Sequence, residues 1–416
     1  MNTRVAGNRT ALTVVTTIFF MWGFITALND VLIPHLKSVF TLNYTEVMLV
    51  QFTFFGAYFL MSLPSGKVVS RLGYRLSIVA GLVVTGIGAL LFLPAAMAQS
   101  YPLFLLAFFV LASGITLLQV AANPYVSLLG PARLASSRLN LAQALNSLGT
   151  TIAPKLGGLL ILSVAVLGSA ELAKLPAAQQ AAYKLQQAHL VQGPYLVIAL
   201  VLFALALIVW LFHLPAIEGA DQHADDSQHT FFDALAHARV WFGMLAIFVY
   251  VGAEVSIGSF MINYISLPGI GDMPEARAAG FVSLYWGGAM IGRFAGSALL
   301  TRIDARKLLC AFAIVAGLLV LTTMLTHGHV AMWSVIAIGL FNSIMFPNIF
   351  TLGIEKFGPL AGKVSSLLVM AIVGGAVIPL AQGALADRIG VHHAFVLPLL
   401  CYAYIVFYSV RGSRVA

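Results

Sequence analysis

Apolar residues run along this chain in blocks of about 20 or more, the length a helix needs to cross a bilayer. Short polar or glycine-rich breaks separate the blocks. Reading them as helices predicts spans over 11–38, 44–69, 76–96, 101–129, 139–168, 192–212, 239–265, 278–300, 307–326, 330–354, 364–386 and 392–411. The longest polar stretch, His213 to His237, divides the spans six and six. It carries Glu218, Asp221, Asp225, Asp226 and Asp233 and reads as a cytoplasmic linker, since its histidines follow no metal-ligand spacing. A second polar insert, Ser169 to Gln192, reads as an external helical loop. The pattern predicts an all-α membrane protein with twelve transmembrane helices in two six-helix bundles. The bundles cover 1–212 and 238–416, joined by a linker over 213–237.

Composition agrees. The 416 residues are 60% hydrophobic and 9% charged, where a soluble domain is about a quarter charged. The formal charge of +8 accompanies no basic helix or RNA-type motif, so nucleic acid is not an expected partner. Positive-inside bias explains the charge. An even number of spans puts both termini on one side. With that side cytoplasmic, 15 of the 22 Lys and Arg fall in cytoplasmic loops and tails. Both termini are therefore expected inside, in a plasma (bacterial inner) membrane, with the lipid bilayer as surroundings and a monomer as the assembly. The first apolar run is too long for a signal peptide and is expected to stay as a helix. Cys310 and Cys401 lie in apolar runs and suggest neither a disulfide framework nor a metal site. No glycine-rich phosphate loop, metal-ligand cluster or nucleophile–base pair stands out, so the chain does not read as an enzyme, and no cofactor is expected.

The two halves echo each other. Gly149 precedes Pro154 by five residues in the fifth span, and Gly374 precedes Pro379 by five in the eleventh. Arg71 and Arg75 follow the second span as Arg302 and Arg306 follow the eighth. Repeats of this kind suit two bundles that rock around a central site.

Of the acidic residues, Asp30 and Glu254 lie well inside spans, in the first and seventh helices, which correspond under the six-plus-six repeat. An acid in hydrocarbon is functional by default. Burial disfavours its charged form, so it can take a proton on one side and release it on the other. The structural alternative is a salt bridge to Lys155 or Arg293. Sugars need many hydroxyls satisfied by uncharged donor–acceptor groups. Asn140, Gln143, Asn146 and Ser147 recur at three- and four-residue spacing on one face of the fifth helix. Gln119 and Asn123 do the same on the fourth, Asn342 adds an amide in the tenth, and Trp22 and Trp286 offer rings for a pyranose to stack on. The competing role for such amides is to hold helices together. Arg293 lies near the inner end of its span and reads as snorkelling or as a conformational salt bridge.

The loop Gly66-Lys-Val-Val-Ser-Arg-Leu-Gly-Tyr-Arg75 resembles the signature of the major facilitator superfamily, with Ser70 in the acidic position. Gly383-Ala-Leu-Ala-Asp-Arg-Ile-Gly390 matches that signature better at the end of the eleventh span. Arg71, Arg75, Arg293, Asp387 and Arg388 are accordingly the expected conformational charge network. A narrower resemblance covers nearly the whole chain. Phe19 to Lys37 (FFMWGFITALNDVLIPHLK), Ala121 to Pro131 (AANPYVSLLGP) and Arg138 to Gly149 (RLNLAQALNSLG) are similar to the first, fourth and fifth helices of the fucose–galactose–glucose proton symporter family. The resemblance implies the major facilitator fold. It assigns proton coupling to Asp30 of the Leu28-Asn29-Asp30 motif, with Asn29 beside the sugar, and a sugar contact to Gln143. The fucose branch carries a glutamate where this chain has Gln119, and a glutamine where it has Glu254. That exchange resembles the glucose/galactose branch.

The expected function is proton-coupled uptake of a neutral hexose of the glucose/galactose type by alternating access. L-fucose or N-acetylglucosamine symport and sodium coupling remain open. So does a drug–proton antiporter, because Gly149 to Gly158 resembles the antiporter fifth-helix motif with Ala153 replacing one glycine.

Overall fold

A computed structural model of the chain describes residues 11–28, 44–160, 174–211 and 230–415. All regular structure among them is helical, as hydrocarbon demands: a helix satisfies its own backbone hydrogen bonds where no water is available. Ala11–Leu28 is α1, Tyr44–Met97 α2, Tyr101–Leu128 α3, Ala135–Leu160 α4 and Ala177–Leu211 α5. From residue 230 onward come the short α6, Phe231–Leu235, then α7, Ala238–Ser266, α8, Glu275–Leu299, and α9, Ala305–Leu325. The expected tenth span is broken into α10, Gly328–Asn342, and α11, Met345–Ile354. The eleventh is broken into α12, Ala361–Met370, and α13, Gly374–Ile389. The chain ends with α14, Val391–Ala394, and α15, Val396–Val410.

Nine helical stretches among the described residues are long and apolar enough to cross a membrane. One of them, Phe52–Met97, holds most of the second expected span and all of the third. Run straight, the 54 residues of α2 would measure about 80 Å, against a hydrocarbon core of about 30 Å. The interruption is Gly73, at φ 70° and ψ 174°, a conformation essentially reserved for glycine. Gly390, between α13 and α14, repeats it at φ 82° and ψ 154°. Both glycines sit two residues after the arginine of a signature match, Arg71 and Arg388.

The fifth and eighth expected spans, α4 and α8, are helical but fall outside those nine stretches. α4 is largely buried and packs against one face of α8, whose other face carries the exposed Leu284, Ile291 and Phe294. α12 lies against α2 and α3, and α11 against α4, so the helices of the two halves meet along this seam. In the apolar 18-residue cores of Tyr101–Leu128 and Gly328–Ile354, 72% and 78% of residues are buried, against 33% in those of Leu190–Leu211 and Ala305–Leu325. α3, α10 and α11 therefore form the interior and α5 and α9 the lipid-facing rim. The repeat also shows in packing. A Cβ on Gly149 would lie 2.2 Å from the Phe20 carbonyl oxygen of α1, and one on Gly374 2.0 Å from the Phe248 carbonyl oxygen of α7. Each half thus seats one helix closely against another at a glycine, and on α1 Gly23 meets the Asn146 carbonyl of α4 in return.

Two substitutions separate backbone conformation from crowding, since neither Gly390 nor Gly193 has anything near its would-be Cβ. Gly390→Ala should destabilise by about 1–3 kcal/mol, the cost of a side chain in that conformation. Gly193→Ala, inside α5, should be neutral or stabilise by up to about 1 kcal/mol. Thermal unfolding in detergent reads both; equal effects would contradict the assignment.

Candidate functional site

The polar side chains expected for binding converge on the seam. On α4, Asn140 donates from Nδ2 to the Ser136 carbonyl (2.8 Å) and to Asn348 Oδ1 of α11 (2.9 Å). Asn146 Nδ2 donates to the Phe19 carbonyl of α1 at 3.0 Å, tying the first helix to the fifth expected span. Ser147 Oγ donates to the Gln143 carbonyl. Gln143 itself is buried, and its side-chain amide makes no hydrogen bond among the described residues. On α3, Gln119 Nε2 donates to the Tyr58 hydroxyl of α2 at 2.8 Å. Asn123, one turn further, is fully buried with both amide atoms unpartnered. Trp22 of α1 is buried against Phe19, with ring centres 4.8 Å apart.

On the other side of the seam, within the second half, Glu254 of α7 and Arg293 of α8 stand 3.6 Å apart, at ion-pair distance but beyond hydrogen-bond reach. Both side chains are nearly buried, 13% and 12% exposed, so neither charge is left to water. Arg293 Nε donates to the Ser343 carbonyl at 3.1 Å, where the chain breaks between α10 and α11. Its Nη1 donates to Ser147 Oγ of α4. One guanidinium therefore joins an intramembrane acid, a helix break and the amide-bearing helix of the other half.

Beneath Glu254 lies a set of buried tyrosines. The Tyr285 hydroxyl donates to the Glu254 carbonyl (3.2 Å) and accepts from Asn342 Nδ2 (2.7 Å). The Tyr402 hydroxyl donates to Asn342 Oδ1 (2.6 Å) and that of Tyr250 to the Asn342 carbonyl (2.9 Å). Asn342, expected on the sugar, thus has its amide engaged with two tyrosines. Trp286, partly exposed, meets Tyr285 edge-on at 5.1 Å.

Neutral bonds cross the seam toward the ends of α4 and α8 that carry Arg133 and Arg302. Ser136 and Thr351 hydroxyls lie 2.6 Å apart. Ser137 Oγ donates to the Ser297 carbonyl (2.7 Å) and Ser297 Oγ to the Ser137 carbonyl (2.9 Å). Ser62 Oγ donates to the Ser366 carbonyl and Ser365 Oγ to that of Val120.

The remaining expectations fall elsewhere. Asn29 and Asp30 lie outside the described residues, as does the Lys155 side chain. Arg75 donates to the carbonyls of Val209 and Trp210 at the end of α5. Arg71, Asp387 and Arg388 are exposed and make no ion pair among the described residues. These charges do not meet in one network. The described ion pairs outside Glu254 centre instead on Glu355, which takes Arg239 at 3.0 Å and Arg306. Sequence reasoning passed over Glu355 because it stands one residue beyond a span; its signal was its adjacency to Lys356 opposite Arg306. It also missed Tyr58, Tyr285, Tyr402 and Asn348, whose partners are distant in sequence.

Comparison with known proteins agrees with this architecture. The Major Facilitator Superfamily model matches residues 13–379. A glucose/galactose transporter of Brucella abortus is 52% identical over 97% of this chain and 94% of its own length. A putative glucose/galactose transporter of Helicobacter pylori is 44% identical over 98% of both chains. The L-fucose-proton symporter of Escherichia coli is 37% identical over 96% of this chain and 92% of its own. The crystal structure of the transporter FucP in the outward conformation superposes with a TM-score of 0.91 at 34% identity, covering 97% of this chain and 98% of that one. With the matching helices, the polar seam and this coverage together, the chain belongs to the major facilitator superfamily and, within it, to the fucose–galactose–glucose proton symporter family, a family of transporters and not of enzymes.

Proposed function

We propose that this protein is a proton-coupled sugar transporter that takes up glucose or galactose by alternating access, its six-helix bundles over 1–212 and 238–416 joined by the linker 213–237. The observation that carries the reading is Arg293, which pairs with Glu254 inside one half and reaches Ser147 on the amide-bearing helix of the other. The names of the 52% and 44% identical relatives support the sugar class, and that of the 37% identical one supports the proton as coupling ion.

The chemistry runs as follows. While Glu254 is ionised, it compensates Arg293. A proton on Glu254 leaves the guanidinium without its counter-charge, and an uncompensated buried charge costs about 3–5 kcal/mol. Sugar hydroxyls are acceptors as well as donors, so a bound hexose at Gln143 can take up the guanidinium's donors. Proton and sugar then each raise the affinity for the other, as linkage requires. Asp30 supplies the second protonatable site. The neutral bonds from Ser136, Ser137 and Asn140 hold the end with Arg133 closed in this state, and they are broken when the halves rock. With both termini cytoplasmic, that closed end faces the cytoplasm, and the protein works as a monomer.

The direct experiment is uptake of labelled glucose and galactose into proteoliposomes, with and without an inward proton gradient, with L-fucose as competitor. Gradient-dependent accumulation that L-fucose competes for poorly is the expected result; a requirement for sodium instead of the gradient would refute proton coupling.

Asp30→Asn should abolish uphill accumulation while counterflow exchange persists, because an amide keeps the size of the acid but carries no proton. Accumulation at the wild-type level would remove Asp30 from coupling.

Gln143→Ala should weaken sugar binding by roughly 1–3 kcal/mol, the cost of leaving a buried polar partner unsatisfied, with the pH dependence of transport retained. Calorimetric titration distinguishes this from a helix-holding role, in which only stability falls.

Glu254→Gln mimics the protonated acid permanently. Sugar affinity should lose its dependence on pH at this site, staying as high in alkali as in acid, and accumulation should fall. A variant whose affinity still declines with rising pH as the wild type's does would make Glu254 a structural ion-pair partner only.

A further inference from the structure

The charged cluster around Glu355 is not used in that mechanism. It surrounds a cavity of about 500 Å³, formed where the starts of α7 and α9 and the ends of α11 and α15 come together. Two acids line it, and both are already engaged. Asp304 caps α9, with Oδ1 accepting from the backbone N–H groups of Arg306 (3.0 Å) and Lys307 (3.3 Å). Glu355 is shared by Arg239 and Arg306.

The cations exceed them. Lys307, Lys356 and Arg414 also line the cavity, and none makes an ion pair among the described residues. Arg239 is nine-tenths buried, and its Nε has no hydrogen-bond partner. Ser413, fully buried, accepts from Arg306 Nε at 3.2 Å and fixes that guanidinium at the wall. Lys356 is held in the left-handed region at φ 68°, which a lysine adopts at a cost. A cavity whose rim carries three exposed cations beyond those its acids engage, over a buried donor lacking an acceptor, suits an anion.

We propose that this cavity binds a phosphate group. Its source is either free phosphate or the headgroup of an anionic phospholipid, since basic pockets between membrane helices take lipid headgroups on the cytoplasmic side. The assignment to that face rests on the orientation in the functional reading above; the site itself does not. Its place in the fold gives it leverage. Arg239 donates to the Leu352 carbonyl at 2.6 Å, and the next residue back, Thr351, bonds Ser136 across the seam. Asn348 of the same short helix touches the Ala305 carbonyl at the start of α9 and Asn140 on the far side. A phosphate drawing Arg239, Arg306 and Lys356 together holds α11 in the position that closes the seam.

The test uses the full-length protein, wild type and Lys307→Gln/Lys356→Gln/Arg414→Gln, with Lys307→Arg/Lys356→Arg as the charge-preserving control. Inorganic phosphate is titrated at constant ionic strength with the thermal midpoint as readout. Native mass spectrometry reads phosphatidylglycerol retained from mixed phosphatidylcholine–phosphatidylglycerol vesicles. Wild type and the arginine control should respond to phosphate, or retain the lipid, or both. The triple variant should bind about a hundredfold more weakly, at roughly a fivefold loss per cation removed, while binding sugar as wild type does. A response to phosphate alone assigns the free ion, and lipid retention alone assigns the headgroup; either supports the site. No response to either probe, or an undiminished one in the triple variant, overturns it. A wild type that binds phosphate but no sugar counts against the transport reading and leaves the anion site standing.

Discussion

A polar group in hydrocarbon must find a partner within the protein or leave the lipid, and that constraint arranges the whole molecule. Unpaired, such a group costs several kcal/mol. The two most polar expected spans, α4 and α8, therefore meet each other along one face, while α8 turns Leu284, Ile291 and Phe294 outward. The seam so formed is joined mainly by hydroxyls and amides: Ser136 with Thr351, Ser137 with Ser297, Asn140 with Asn348. Such bonds between membrane helices contribute on average about 0.6 kcal/mol each, so a seam of them is firm in sum and can still part. Ion pairs across it would be dearer to separate, at about 3–5 kcal/mol for each one broken.

The two halves share backbone devices and differ in chemistry. Gly149 and Gly374 admit a neighbouring helix at the same kind of contact, and Gly73 and Gly390 end a helix in the same rare conformation. These positions answer to geometry, which both halves must satisfy. Side chains are under no such demand. The first half presents amides along α4, while the second presents an acid, an arginine and a ring of tyrosines around Asn342.

How legible was this in the sequence? Every expected span falls on helix where it is described, because a block of about 20 apolar residues admits few other fates. The glycine pairs were readable as repeats, since spacing survives in one dimension. The face of α4 was readable for the same reason. Partners were not. Asn342 reads as a sugar ligand, and nothing in its sequence neighbourhood announces Tyr285 and Tyr402 at its amide. Asn140 reads the same way, and its bond to Asn348 of the other half, with its Oδ1 left unpartnered, is visible only in three dimensions. Glu355 was overlooked because span boundaries carry charges by default, and only three-dimensional proximity to Arg239 and Arg306 makes it a centre. The expected network of Arg71, Arg75, Arg293, Asp387 and Arg388 treated signature residues as neighbours, though they stand at the ends of different helices.

The division of labour at Arg293 follows from the same energetics. Its ion pair with Glu254 lies within one half, between α7 and α8, and its bond to the Ser343 carbonyl lies there too. Motion of the halves as bodies leaves both intact. The contact that crosses the seam is a single bond to the Ser147 hydroxyl. In the alternating access proposed above, the expensive interaction is thus kept within one half, and a cheap one is placed where the halves would separate. A charge pair arranged in this way would report its protonation to the other half without locking the halves together.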